Sequence, residues 1–382
     1  MKRVVQVKLL PTAEQDQALA DTLLVCNEVA NQVGRAAITH GVQRNYGLRL
    51  YTYAEAKAAG LAAQAAQHVI KKVADAYTTR RANARNGRYG PKGSQRRTRI
   101  ESSPVSFRAD AAQPFDDRCL SWQHEERTVS IWTTRGRMKN IAFTGQDEQL
   151  AVLATHRKGE SDLIRRGDAW FLIATIDEPA PPVSEPVGFL GVDLGIVNIA
   201  TTSDGANWSG GAVTARRKKN IALRAKLQMK GTKSAKRLLK KRSRKEARFV
   251  ADVNHQISKS IVATAARTGR GISHEDLTGI RERVRLRRPQ RSALHSWAFA
   301  QLGAFITYKA ERAGVGCVAV DPRNSSRECC ECGHIDKKNR TNQATFACRA
   351  CGVKRNADLN AAKVLAARGQ KLWGAVNLPH AA

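Results

Sequence analysis

The sequence lacks long apolar runs and is poor in acidic residues. No stretch reaches the roughly 18 consecutive apolar residues of a membrane span, and residues 1–8 contain no apolar signal core. We therefore expect a cytoplasmic protein. The chain has only 33 Asp and Glu residues but 65 Lys and Arg residues, which gives a formal charge of +32 in 382 residues. Self-repulsion of that size favours a polyanionic partner, and nucleic acid is the obvious candidate; a passive basic protein of the ribosomal kind is the alternative.

Cysteine is far less frequent than in a disulfide-rich scaffold. The chain has eight, of which Cys26, Cys119 and Cys317 are scattered. This usage fits small buried hydrophobic residues and metal ligands, and it does not fit the disulfide framework of a secreted protein.

Four of the other cysteines form two CxxC pairs about fifteen residues apart, each followed by a glycine. This spacing predicts a zinc ribbon. The predicted ligands of one structural Zn²⁺ are Cys329, Cys332, Cys348 and Cys351. Because four thiolates fill a tetrahedral site, no position is left for a reactive water. The eighth cysteine, Cys330, lies inside the first pair, and we expect its thiol to point away from the metal.

The first half of the chain alternates between sheet and helix patterns. An opening β-branched strand stops at Pro11, and an Ala- and Leu-rich segment with helical spacing follows from residue 15 to 85, with Thr12 as its cap. Residues 85–99 are rich in Gly, Pro and basic residues and predict a flexible loop. Short strands are predicted at residues 105–107, 120–122, 129–133 and 170–176. Together they indicate a small antiparallel barrel with a helical insertion after its first strand.

The second half begins with an apolar strand over residues 187–192 and continues with a second strand over residues 199–202. A basic stretch, residues 216–248, has Glu246 as its only acid. It predicts a helical hairpin that faces phosphate, or one that is merely solvated. The candidate nucleic-acid contacts are Arg216, Arg217, Lys218, Lys219, Lys236, Arg237, Lys240 and Lys241.

Three acids are candidates for catalysis. Asp193 follows the apolar strand, Glu275 ends a weaker strand pattern, and Asp358 opens the last predicted helix. Convergent carboxylates are what two-metal hydrolysis of a phosphodiester requires. Each acid has a structural alternative: Asp193 as a turn former, Asp358 as a helix cap, and Asp276 in place of Glu275, although strand alternation places neighbouring residues on opposite faces.

Four motifs together resemble the TnpB (OrfB) family of transposon-encoded proteins, which is related to type V CRISPR nucleases and Fanzors. They are GVDLG around Asp193, EDL at Glu275, SSREC leading into the ribbon, and ADLNAA at Asp358. The resemblance implies an α/β RNase H-like (RuvC) nuclease domain with a zinc-ribbon insertion, and an N-terminal wedge β-barrel that carries a helical recognition insertion. The implied division is a wedge over residues 1–14 and 100–182, a recognition insertion over 15–99, a RuvC domain over 187–322 and 354–382 with the basic hairpin at 216–260, and the ribbon over 323–353.

The resemblance also implies an activity. Asp193, Glu275 and Asp358 match the three carboxylates that bind two Mg²⁺ ions in RuvC sites, and the four cysteines match the ribbon ligands. The expected function is an RNA-guided DNA endonuclease with a guide RNA derived from the transposon end and a double-stranded DNA target. The expected location is the cytoplasm of a bacterium or archaeon, in association with the nucleoid. A nuclease-inactive RNA-guided repressor and a guide-free transposase or resolvase remain as alternatives.

Overall fold

The computed structural model describes residues 2–277 and 299–377. Residues 278–298, which fall within the predicted nuclease domain, and residues 378–382 lie outside this description. The chain splits into two units, Met1–Pro179 and Ala180–Ala382. No helix within the described ranges is long and apolar enough to cross a membrane.

The first unit is built on an antiparallel sheet in the order β2-β6-β7-β1-β5-β4-β3. Its strands are β1 (Lys2–Leu10), β2 (Gln113–Phe115), β3 (Leu120–Gln123), β4 (Thr128–Thr133), β5 (Gly136–Thr144), β6 (Arg157–Arg166) and β7 (Ala169–Asp177). Alternate residues of β1, namely Val5, Val7 and Leu9, are buried in the core. This is the pattern of a strand with one face on a core, and the sheet is consistent with the predicted barrel.

Helices form the rest of this unit. They are α1 (Ala13–Thr39), α2 (Asn45–Ala58), α3 (Ala63–Arg85), α4 (Gln95–Ser102) and α5 (Asp147–His156). Thr12 and Gln15 form a capping box at the start of α1, because each side chain bonds the other residue's backbone N–H. The first three helices share an apolar cluster. The helical prediction for residues 15–85 and its cap are confirmed.

The prediction that residues 85–99 lack regular structure is wrong at the end of that segment. Gly87, Gly90 and Gly93 have positive φ, as expected in an irregular loop. The helix α4 begins directly afterwards, at Gln95. Its sequence contains neither Gly nor Pro, and Arg97 Nε donates to Glu101 Oε1 at 2.9 Å, one helical turn away.

The strand predicted at residues 105–107 is absent from the described fold. This segment bonds to helix side chains instead of to a neighbouring strand: Phe107 N–H donates to Asn31 Oδ1 at 2.7 Å, and Asn31 Nδ2 donates back to Phe107 O at 3.0 Å. Conversely, β2, β5 and β6 were not predicted. The strand β6 is too polar to show a strand pattern, and the register between β4 and β5 shifts near Asn140, where φ is +56°.

The second unit is built on a sheet in the order β10-β9-β8-β11-β12. The strands are β8 (Phe189–Leu194), β9 (Asn198–Thr202), β10 (Asn207–Ser209), β11 (Gly271–Glu275) and β12 (Cys317–Val320), and a separate hairpin is formed by β13 (Thr345–Ala347) and β14 (Lys354–Asn356). The helices are α6 (Gly211–Lys230), α7 (Lys233–Arg267), α8 (Phe299–Arg312) and α9 (Ala357–Asn377). The strands β8, β11 and β12 are parallel, and β9 is antiparallel to β8.

The helix α9 lies unusually close to the central strand β8. A Cβ atom on Gly191 would lie 1.8 Å from the carbonyl oxygen of Ala362, so only glycine permits this approach. On the neighbouring strand, Ser273 Oγ donates to Leu365 O of the same helix at 2.7 Å. His274, one residue further, contacts α8 instead, with Nε2 3.4 Å from Thr307 Oγ1. The two faces of the sheet are thus covered by different helices.

Candidate active site and zinc ribbon

Strand register brings the first two predicted acids side by side. In the parallel pair β8 and β11, Gly191 is opposite Ser273 and Val192 is opposite His274, so Asp193 and Glu275 come next along their strands. Because side chains alternate along a strand, both acids share the face on which Gly191 and Ser273 meet α9. Asp276 is exposed, one residue beyond the end of β11.

The third acid, Asp358, is carried to the same place by the first turn of α9. The cap of this helix is Asn356, whose side-chain oxygen accepts from the N–H groups of Asp358 and Leu359 at 3.0 and 3.1 Å. The carboxylate of Asp358 is therefore not needed as a cap. It accepts from Asn198 Nδ2 at 2.8 Å and lies 3.5 Å from Arg340 Nη2.

All three acids line one open cleft of about 560 Å³. Burial raises the pKa of Asp193 well above its ordinary value, and repulsion from Glu275 and Asp358 raises it further. Burial likewise raises the pKa of Glu275 to about 7, although the hydrogen bond from Ser325 and the charges of nearby arginines oppose the rise. Such crowding of negative charge is relieved when a cation binds between the carboxylates.

The three carboxylates are less tightly gathered than the ribbon cysteines described below. In the described ranges, they do not form a group whose ligand atoms all lie within 4.8 Å of one another. Two of them, Glu275 and Asp358, are instead held by neighbours. Ser325 Oγ donates to Glu275 Oε1 at 3.0 Å, and the Arg340 guanidinium adjoins Asp358.

Three polar residues of the cleft, Asn198, Ser325 and Arg340, were not singled out from the sequence. Ser325 belongs to the SSREC motif, which by itself assigns this serine no role. Asn198 begins the strand after the Asp193 turn, and Arg340 comes from the ribbon region, where an isolated bridge joins it to Phe346. Arg340 is one of 65 Lys and Arg residues in the chain, and no local sequence pattern distinguishes it from the others.

The four ribbon cysteines meet at one point. The Sγ atoms of Cys329 and Cys351 are 3.6 Å apart, as are those of Cys332 and Cys348, and all four lie within 4.8 Å of one another. A tetrahedral zinc with Zn–S bonds of about 2.3 Å requires Sγ atoms about 3.8 Å apart. The thiolate set therefore fits a structural zinc ion in both type and spacing.

Backbone geometry explains why these pairs can hold a metal. Gly333 and Gly352 follow the two pairs with φ of +72° and +75°, a region that glycine tolerates best. Their N–H groups donate back to the carbonyls of Cys329 and Cys348, which closes each turn. The extra thiol of Cys330 points away, as expected, and accepts from Arg355 Nη1 at 3.1 Å.

One buried amide links the ribbon to the helix that carries Asp358. Asn360 Nδ2 donates to Glu328 O at 2.7 Å, and Asn360 Oδ1 accepts from Cys330 N–H at 3.2 Å. Asn360 is fully buried. These bonds join the first CxxC pair to the first turn of α9. The ribbon therefore fixes the direction in which that turn faces the cleft.

The predicted basic hairpin is formed by α6 and α7, which meet at Gly231 in a left-handed conformation, with Thr232 as cap of α7. Seven of the eight candidate contacts are exposed, and Arg217 is partly buried. A shallow basin of about 440 Å³ is lined by Arg237, Lys240, Lys241 and Arg248. The Arg216 guanidinium lies 4.2 Å above the ring centre of Phe249.

Two family models match the chain. Residues 172–277 match the OrfB_IS605 model, described as a probable transposase, and residues 299–365 match the Cas12f1-like TNB domain. The first match contains Asp193 and Glu275, and the second contains the ribbon cysteines and Asp358. These matches confirm the resemblance to the TnpB (OrfB) family.

Curated relatives match over part of their length. The chain is 35% identical over 219 residues to the CRISPR-associated endodeoxyribonuclease Cas12f1 of Sulfoacidibacillus thermotolerans, which covers 53% of this chain and 50% of the relative. It is 36% identical over 137 residues to the TnpB-like protein MJ0751 of Methanocaldococcus jannaschii, covering 36% and 48%. The chain thus spans about half the length of the curated relatives it matches.

Among solved structures, the mini-RNA-guided endonuclease CRISPR-Cas_phi3 is similar with a TM-score of 0.51 and 11% identity, covering 97% of this chain and 92% of that one. At this identity the similarity shows the fold alone.

Proposed function

We propose that the protein is an RNA-guided, Mg²⁺-dependent DNA endonuclease of RuvC type. The observation that carries the proposal is the cleft in which Asp193, Glu275 and Asp358 meet, from two adjacent strands and the first turn of a helix. The sheet order β10-β9-β8-β11-β12, with only β9 reversed against β8, supports an RNase H-like domain. The matched relatives include a protein named as an endodeoxyribonuclease.

The donor set suits magnesium. Hard cations of this kind bind carboxylate oxygens. Burial is the main cause of the raised pKa values of Asp193 and Glu275, and repulsion from neighbouring carboxylates adds to it. Two Mg²⁺ ions, when bound, would activate the attacking water and stabilise the leaving oxygen. The residues themselves orient the site: Ser325 holds Glu275, and Asn198 holds Asp358. Arg340, beside Asp358, is placed to attract the scissile phosphate.

The proposal also includes the domain boundaries, the zinc ligands and the nucleic-acid contacts that the sequence predicts. The wedge, recognition, nuclease and ribbon boundaries are those set out from the sequence, with one Zn²⁺ bound by Cys329, Cys332, Cys348 and Cys351. The exposed cations of α6 and α7 would contact phosphates of a transposon-end-derived guide RNA or of the target DNA, chiefly without reading sequence. We propose that the complex acts in the cytoplasm, on the nucleoid.

Cleavage by the purified ribonucleoprotein tests this function. The wild-type complex should cut a matched duplex in Mg²⁺ and not in EDTA. Asp193→Ala and Glu275→Gln should each abolish cutting while they leave RNA binding unchanged, because neither removes a basic contact. Asp276→Asn is the matched control for Glu275→Gln, and it should cut like the wild type. Full cutting by Asp193→Ala would refute the catalytic assignment.

The alternatives give different results in the same assay. A nuclease-inactive repressor would bind the matched duplex and leave it intact in every metal tested. A guide-free transposase or resolvase would retain specific cutting after its RNA is removed by ribonuclease.

A further inference from the structure

A second group of metal-type ligands lies in the first unit. His68 is on α3, and Asp116 and Cys119 flank the tight turn between β2 and β3. One nitrogen, one carboxylate oxygen and one sulfur of these three residues all lie within 4.8 Å of one another. His68 and Cys119 are each only 3% exposed, whereas the side chain of Asp116 is 25% exposed. The cluster is thus built into the core and open to solvent on one side.

The spacing of this cluster suits tetrahedral coordination. His68 Nε2 lies 3.3 Å from Asp116 Oδ1. Zinc bonds of about 2.0–2.1 Å to nitrogen and oxygen give a tetrahedral edge of about 3.3–3.4 Å. The turn also fixes two of the ligands relative to each other, because Asp116 Oδ1 accepts from the N–H groups of Arg118 and Cys119 at 3.2 and 3.3 Å.

The other side of the imidazole is held by a carboxylate. Glu160 Oε1 on β6 lies 3.4 Å from His68 Nδ1. Histidines that bind metal commonly donate the opposite N–H to a carboxylate, which leaves the free nitrogen directed at the ion. Gln64 Nε2 donates to the second oxygen of Asp116 at 2.7 Å and lies 3.2 Å from His68 Nε2, so this one amide contacts both ligands and an ion bound by Nε2 would replace its contact with the imidazole.

We propose that His68, Asp116 and Cys119 form a second zinc site, separate from the ribbon, with its fourth position open to solvent on the Asp116 side. A mixed set of imidazole, carboxylate and thiolate matches the preference of Zn²⁺. The ion would tie α3 to the turn between β2 and β3, and so hold helix and sheet of the first unit together.

Zinc analysis of the purified full-length protein tests the site. The wild type, grown with added Zn²⁺ and desalted into metal-free buffer, should contain about two zinc ions per chain. His68→Gln and Cys119→Ala should each lose one of the two. The matched control is Cys26→Ala, which removes another buried cysteine of the same unit and should retain both.

X-ray absorption of the wild type at the zinc edge gives an answer that does not depend on how the variants fold. Two occupied sites should average two to three sulfur ligands per zinc, with nitrogen and oxygen supplying the rest. A single zinc surrounded by four sulfurs would overturn the proposal, and so would a Cys119→Ala protein that retains both ions.

Discussion

Gly191 is the position at which one added methyl group should disturb the proposed active site most. Its Cβ would lie 1.8 Å from Ala362 O and 2.6 Å from Ala366 N, both backbone atoms of α9. A backbone obstacle cannot rotate away, so in Gly191→Ala the helix must shift. Overpacking costs about 1–3 kcal/mol, and we expect about 3 kcal/mol here because no side chain can yield. For a unit of this size, that lowers Tm by about 6–12 °C.

The same shift moves Asp358, which the first turn of α9 carries. Differential scanning calorimetry of Gly191→Ala should therefore show a lower transition for the second unit, and its ribonucleoprotein should cut more slowly than wild type at a temperature where both are folded. Gly188→Ala is the matched control, because a Cβ at that position meets nothing within 4 Å. If Gly191→Ala melts within about 1 °C of Gly188→Ala and cuts normally, the account of how α9 positions Asp358 is wrong.

Three further predictions concern the cap, the ribbon and the hairpin. Asn356→Ala removes the acceptor for two N–H groups of α9 and should cost about 1 kcal/mol, seen by calorimetry as a Tm about 2–4 °C lower. Cys348→Ser should lose the ribbon zinc and the ordered ribbon, measured by zinc content and limited proteolysis, whereas Cys330→Ser should keep both because its thiol points at Arg355. Replacing Lys240 and Lys241 by Ala should make the plot of log K for RNA binding against log salt less steep. The steepness should fall by about 0.7–0.9 for each phosphate that these lysines neutralise in the wild type. An unchanged slope would show that neither lysine contacts the RNA.

The sequence predicts those site residues whose role is marked by a pattern in the neighbouring residues. The ribbon ligands follow from CxxC spacing, and Asp193 follows from an apolar strand that ends in Asp-Leu-Gly. The glycine two residues earlier turned out to be equally informative, since Gly191 marks the face on which α9 lies. Its meaning depends on Ala362, and no local pattern could pair these two positions.

The site residues that the sequence does not predict owe their roles to tertiary contacts. Arg340 and Asn198 reach Asp358 from different parts of the chain, and only the folded arrangement distinguishes them from other polar residues. The same holds for His68 on α3 and Cys119 in the turn before β3, which only the fold brings together. The helix α4 was missed for a simpler reason, because the glycines before it dominated the composition of its neighbourhood.

The most direct test of the proposed active site is anomalous diffraction from crystals of the protein soaked in Mn²⁺. Two peaks about 3.5–4 Å apart should lie between the carboxylates of Asp193, Glu275 and Asp358, and both should be lost in Asp193→Ala. Peaks elsewhere with none between these three side chains would contradict it.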